Sequence, residues 1–98
     1  MLPQAKIDEI VAEVATAYLT REIVERVMSE PTIDSEGEEA VRITIVIKPD
    51  GMEKLKGDPV LDTLVGIHNK LGEAGEGRYP LVRYATQAEL DVGDSPES

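Results

Sequence analysis

Residues 41–47, Val-Arg-Ile-Thr-Ile-Val-Ile, restrict most strongly what this chain can become. Val41, Ile43, Ile45 and Ile47 share one side of a period-two pattern, and Arg42, Thr44, Val46 and Lys48 share the other. A strand patterned this way must bury its apolar face, and a small domain does so by laying amphipathic helices across it. Pro49, Asp50 and Gly51 then provide a turn, because proline presets φ at the second turn position and Asp and Gly suit those that follow. Residues 52–57, MEKLKG, are expected to form a short return strand.

Two segments have the helical spacing needed to cover such a strand. In residues 4–19, Ile7, Ile10, Val11, Val14 and Tyr18 form one stripe, with Asp8, Glu9 and Glu13 elsewhere on the wheel. Carried on to residue 28, the helix would point Ile23 and Val27 away from that stripe, so it is expected to break near residues 19–21. In the second segment Asp58 is the expected N-cap and Pro59 the first helical residue, followed by a buried stripe of Val60, Leu61, Leu64, Ile67, His68 and Leu71. Gly72, Gly75 and Gly77 offer its exit.

Between the first helix and the central strand, Ile23, Glu25 and Val27 alternate with Val24, Arg26 and Met28. Residues 23–31 therefore read as a strand ending at Pro31, with a helix as the alternative. Residues 34–39, DSEGEE, would connect a hairpin, with Gly37 free to take a positive φ. Residues 78–84 are a candidate edge strand, and 85–90 a helical turn. The expected fold is α+β, of order α-β-β-β-α with a candidate fourth strand: a small, mainly antiparallel sheet with two helices on one face. Residues 1–92 are expected to form a single domain and 93–98 a disordered acidic tail. The sheet face carrying Arg42, Thr44 and Lys48 is expected to be open to water.

Composition narrows the chemistry. The 98-residue chain is 41% hydrophobic but has no Phe, no Trp and three Tyr, so its core is aliphatic and it offers few rings on which bases could stack. With no cysteine, disulfides, thiolate metal sites and a Cys nucleophile are excluded. The opening residues, MLPQAKIDEI, hold no long apolar run and no segment approaches a bilayer-spanning length, so a cytoplasmic location without membrane contact is expected.

The net charge of −10 is unevenly placed. Residues 30–39 hold five acids and no base, and residues 87–98 hold four acids and no base, while the other 76 residues hold 11 acids against 10 bases. Such a field repels phosphate and makes nucleic acid an unfavoured partner; it speeds encounter with a basic protein.

No motif supplies a reaction. Asp34, Glu36 and Glu38 alternate as in a calcium loop, but that spacing calls for Gly at 39 and Glu at 45, where the chain has Glu39 and Ile45. GEAGEG at 72–77 follows a helix, whereas phosphate-cradling glycine loops precede one. His68 is the sole histidine and reads as a core or boundary residue. Neither catalysis, a cofactor nor a metal is expected. The candidate partner-binding residues are Arg42, Thr44 and Lys48 on the sheet face, with Arg78, Tyr79, Arg83 and Tyr84 in RYPLVRY, because Tyr and Arg are favoured where interfaces concentrate their energy. A non-catalytic regulatory or interaction module with a basic protein partner is the leading expectation. The alternative is a nucleic-acid-associated domain using the same face and segment 78–84, and a homodimer is compatible with either.

Overall fold

The computed structural model describes residues 2–55 and 57–93. Its centre is β2 (Glu39–Ile47), flanked by β1 (Val24–Ile33) running antiparallel and β3 (Tyr79–Thr86) running parallel. Helix α1 (Gln4–Leu19) precedes the sheet. A 3₁₀ turn at Met52–Lys54 and helix α2 (Asp58–Glu73) connect β2 to β3, and α3 (Gln87–Gly93) follows. The order is α-β-β-α-β-α, so the fold is α+β as expected, but the sheet is mixed rather than mainly antiparallel and has three strands.

The expected return strand is replaced by a coiled turn. Gly51 N–H donates to the Lys48 carbonyl at 2.7 Å and Lys54 N–H to the Gly51 carbonyl at 2.9 Å. Met-Glu-Lys-Leu has no β-branched residue to favour a pleated surface. With α2 as the crossover, the chain re-enters the sheet in the direction of β2, and segment 78–84 becomes a parallel edge strand. Of residues 23–31, Ile23 lies in the turn before β1 and the rest are strand rather than helix, and β1 continues past Pro31 to Ile33. Of the tail expected at 93–98, residues 94–98 lie outside the described residues.

Local chemistry accounts for the element ends. α1 stops because Thr20 turns to φ 72° while its N–H still donates to the Thr16 carbonyl, a conformation uncommon for a β-branched residue. The β1–β2 turn is held by Asp34, whose Oδ1 accepts from the N–H groups of Glu36 and Glu38 at 2.9 Å each, with Gly37 at φ 83°. The N-cap of α2 is Gly57 at φ 75°, so Asp58 is its first helical residue rather than the cap. Thr86 and Glu89 form a capping box at α3: Glu89 N–H donates to Thr86 Oγ1, and Glu89 Oε1 accepts from Thr86 N–H at 2.8 Å.

Both helices pack on the face of β2 that carries Val41, Ile43, Ile45 and Ile47, all buried. α1 contributes Ile7, Val11, Val14, Ala15 and Leu19, and leaves Tyr18, expected in the stripe, exposed. α2 contributes Thr63, Ile67 and Leu71; the Thr63 hydroxyl satisfies itself on the Pro59 carbonyl at 2.7 Å. Leu61 is 59% exposed and Val60, Leu64 and His68 are half-buried, so the inward face of α2 is rotated from the one expected. The cause is the contact with α1 at Gly66. A Cβ there would lie 2.9 Å from Val14 Cγ1 and 3.3 Å from a Tyr18 ring carbon. Bringing Gly66 against α1 turns Thr63 and Ile67 inward and Leu61 outward. Among the described residues no helix is long and apolar enough to cross a membrane.

Gly66→Val is expected to separate α1 from α2 and to lower unfolding free energy by about 1–3 kcal/mol, measured by urea denaturation. An unchanged midpoint would mean that the two helices do not depend on this close approach.

Candidate functional site

The structure sorts the sequence-derived candidates into separate places. Arg42, Thr44 and Arg83 lie together on the sheet face away from α1 and α2, where β2 and β3 pair Thr44 with Arg83 and Arg42 with Leu81. Lys48 follows the end of β2; at six residues from Arg42 it stands about 20 Å along the strand and belongs to no common cluster. Its N–H donates to the Ile23 carbonyl at 2.9 Å.

This polar face is not simply solvated. Thr44 is 3% exposed and Val46 fully buried, while Leu90 of α3 lines one groove with Arg26, Arg42, Thr44 and Arg83. Arg26 donates to Gln87 of α3, and Gln87 donates to Asp91 at 3.0 Å, which ties the last helix to β1. Arg83 Nε donates to Thr44 Oγ1 at 2.9 Å, and Arg42 pairs with Glu30 at 3.0 Å in an exposed contact. The chain thus sets one arginine from each strand on this face. Arg26 is the member that sequence reasoning passed over, because its place opposite Val46 depends on a register shift between Val24 and Arg26.

Arg78 and Tyr84 hold structure in place. The Glu76 carboxylate is fully buried, and its Oε2 accepts from Arg78 N–H and Nε at 2.9 Å each. Its Oε1 accepts from Arg78 Nη2 and from Leu2 N–H, also at 2.9 Å. Arg78 Nη2 reaches the Leu2 carbonyl at 3.3 Å, so the pair staples the start of the chain to the start of β3. Hydrogen bonding from Arg78, against the opposing effect of burial, holds the Glu76 carboxyl down at about 2, and Glu76 raises the Arg78 guanidinium in turn. Glu76 escaped the sequence reading because GEAGEG looked like a glycine exit. The available signal was an acid and a base either side of Gly77 at a strand entry. The Tyr84 hydroxyl donates to the Val60 carbonyl at 3.2 Å, and burial pushes its phenol upward. Tyr79 remains 57% exposed, its ring edge-on to His68 with centroids 5.1 Å apart.

A third locality emerges from the turns. The β1–β2 turn and the α2–β3 loop line one open concavity through Gly37, Glu38, Glu39, Glu76, Gly77 and Arg78. Glu36, Glu38, Glu39 and Glu73 are exposed there or beside it, and none forms an ion pair among the described residues. Arg78, the base at that place, is already engaged by Glu76. Among the described residues no group of three or more His, Cys, Asp or Glu side chains could hold a metal ion. Compared with known protein families, with curated proteins and with solved structures, the chain matches none.

The buried pair has a pH signature. The folded Glu76 carboxyl lies below its ordinary value of 4.5, so the stability it confers is full above that pH and is lost as pH falls from about 4.5 toward 2. Arg78→Ala, which leaves the carboxylate buried and unpaired, is expected to cost about 3 kcal/mol at neutral pH and to flatten this acid limb. Denaturation at several pH values checks both. An Arg78→Ala acid limb as steep as that of the unsubstituted protein would show that the pair does not govern it.

Proposed function

We propose that the protein is a non-catalytic interaction module that meets a basic protein partner through the pole formed by the β1–β2 turn and the exit of α2. The observation that supports this reading is the uncompensated acidity of that pole. Glu36, Glu38, Glu39 and Glu73 form no ion pair among the described residues, and Arg78, whose charge Glu39 also favours at longer range, is held by Glu76. Charges of one sign on a rigid turn accelerate encounter with a surface of the other sign, and salt weakens that acceleration. Asp34 is spent on the turn itself, so the shape of the pole and its charge are separable. The test compares the intact chain with a variant carrying Glu38→Gln, Glu39→Gln and Glu73→Gln as bait in extract of the source organism, at low and high salt. A basic protein held by the intact chain and released by salt or by the substitutions is the expected outcome. Retention of the same protein by the variant, with the same salt dependence, would remove the pole from the mechanism.

A second reading, association with nucleic acid, is favoured by Arg26, Arg42 and Arg83 standing on one sheet face. It is weakened by Glu30, which already pairs with Arg42, and by Asp91 on α3 close by. Neutralised phosphates appear as a salt slope. Binding of an RNA pool at low salt that disappears with Arg26→Glu and Arg83→Glu would establish this reading, and no binding at low salt would retire it.

A further inference from the structure

The two edges of the sheet are treated differently. On β1, Pro31 stands opposite Val41 and has no N–H to give, so its nitrogen faces outward, away from β2. By the two-residue alternation Ser29 faces outward too, and its carbonyl accepts from the Gln4 side chain, so α1 plugs that edge. On β3, Pro80 also stands opposite Val41, and the same alternation turns Pro80, Val82, Tyr84 and Thr86 toward the free side. Thr86 N–H is taken by Glu89. The N–H groups of Val82 and Tyr84 and the carbonyls of Pro80, Val82 and Tyr84 have no partner among the described residues.

Beside this edge lies the part of α2 that the core does not cover. Leu61, Leu64, Val65 and His68 fall within one arc of the helix, with Leu61 59% and Val65 49% exposed. Leu64 and His68 line a concavity with Pro80, Leu81 and Val82, which Arg42 and Arg83 also line, and this places the outer stripe of α2 alongside the strand edge. Tyr84 reaches Val60 and Tyr79 meets His68, so residues 61–65 stand level with the middle of β3.

We propose that a second copy of this chain occupies this surface: two β3 strands pair antiparallel about a two-fold axis at Val82, and the two α2 stripes close over the seam. The edge is complementary to itself. With Val82 facing its own copy, the two Val82 residues exchange N–H and carbonyl, and each Tyr84 N–H meets the carbonyl of the other Pro80; the ladder ends at that pair, where the Tyr84 carbonyl faces the proline nitrogen and gains no bond. Leu81 then lies opposite Arg83, whereas an axis at Arg83 would set like charges directly against each other. On the helix layer the same axis sets the two 61–65 segments against each other, so that Leu61 of one copy meets Val65 of the other in an isologous contact. The antiparallel arrangement also holds the acidic poles, which lie at the start of β3, apart at opposite ends of the seam. The result is one six-stranded sheet whose outer edges are the plugged β1 strands.

The test is the mass of the full chain by sedimentation equilibrium across a concentration series, together with amide exchange at Val82 and Tyr84. The expected species is a dimer of the 10.7 kDa chain, with both amides protected as dimer forms. The double substitution Leu61→Glu and Val65→Glu, at exposed positions, is expected to give a folded monomer by circular dichroism and to expose both amides. A monomer at every concentration overturns the proposal, and so does a dimer whose Val82 and Tyr84 amides exchange freely or that survives the double substitution. If the double variant fails to fold, exchange in the unsubstituted dimer decides between these outcomes.

Discussion

The burial of β2 on both faces is the constraint on which the rest of the molecule depends. Val41, Ile43, Ile45 and Ile47 are sealed by α1 and α2, and Thr44 and Val46 are buried on the side where α3 returns. A strand enclosed in this way needs hydrogen-bonded neighbours on both edges and apolar cover above and below. Every other element supplies one of these. β1 comes by a short turn, which compels it to be antiparallel; β3 comes through a helical crossover, which makes it parallel.

Polar groups inside this arrangement are retained where they fasten one element to another. Glu76 and Arg78 fix the chain start against β3, Ser29 donates to Asp8 at 2.6 Å to hold α1 on β1, and Tyr84 joins β3 to α2. Each is satisfied, and among the described residues no buried side-chain nitrogen or oxygen lacks a partner. The cost of burying a carboxylate is offset at Glu76 by donors from Arg78 and Leu2, which is why its titration sits so low.

What remains outward divides into surfaces of different character. The turn pole is acidic and, among the described residues, forms no ion pair beyond that of Glu76 with Arg78, the face beneath α3 carries arginines already engaged by neighbours, and the edge of β3 with the outer stripe of α2 is mainly apolar, with Arg42 and Arg83 beside it. These surfaces carry, respectively, the proposals of a basic protein partner, of nucleic acid and of a second copy of the chain. The edge and the pole lie on different parts of the surface, so self-association would leave the acidic turn free to meet a partner.

Periodicity alone determined much of the fold: α1 from residue 4 to 19, the break after Leu19, the inward set of β2, the β1–β2 hairpin and the existence of α2 and β3 were all readable, because each follows from spacing within its own segment. Net charge and its concentration in residues 30–39 and 87–98 were equally plain. The direction of β3 was not, since a strand looks the same from either end and only the crossover through α2 sets its sense. The inward face of α2 was also hidden, because the apolar stripe is wider than the arc the core accepts and contact with α1 at Gly66 chooses which part is used. Of the candidate residues, Arg42 and Arg83 share a face, whereas Arg78 and Tyr84 are committed to packing. Sequence determines which residues can pair by charge or polarity, but which pairs form depends on distances that the tertiary structure alone decides.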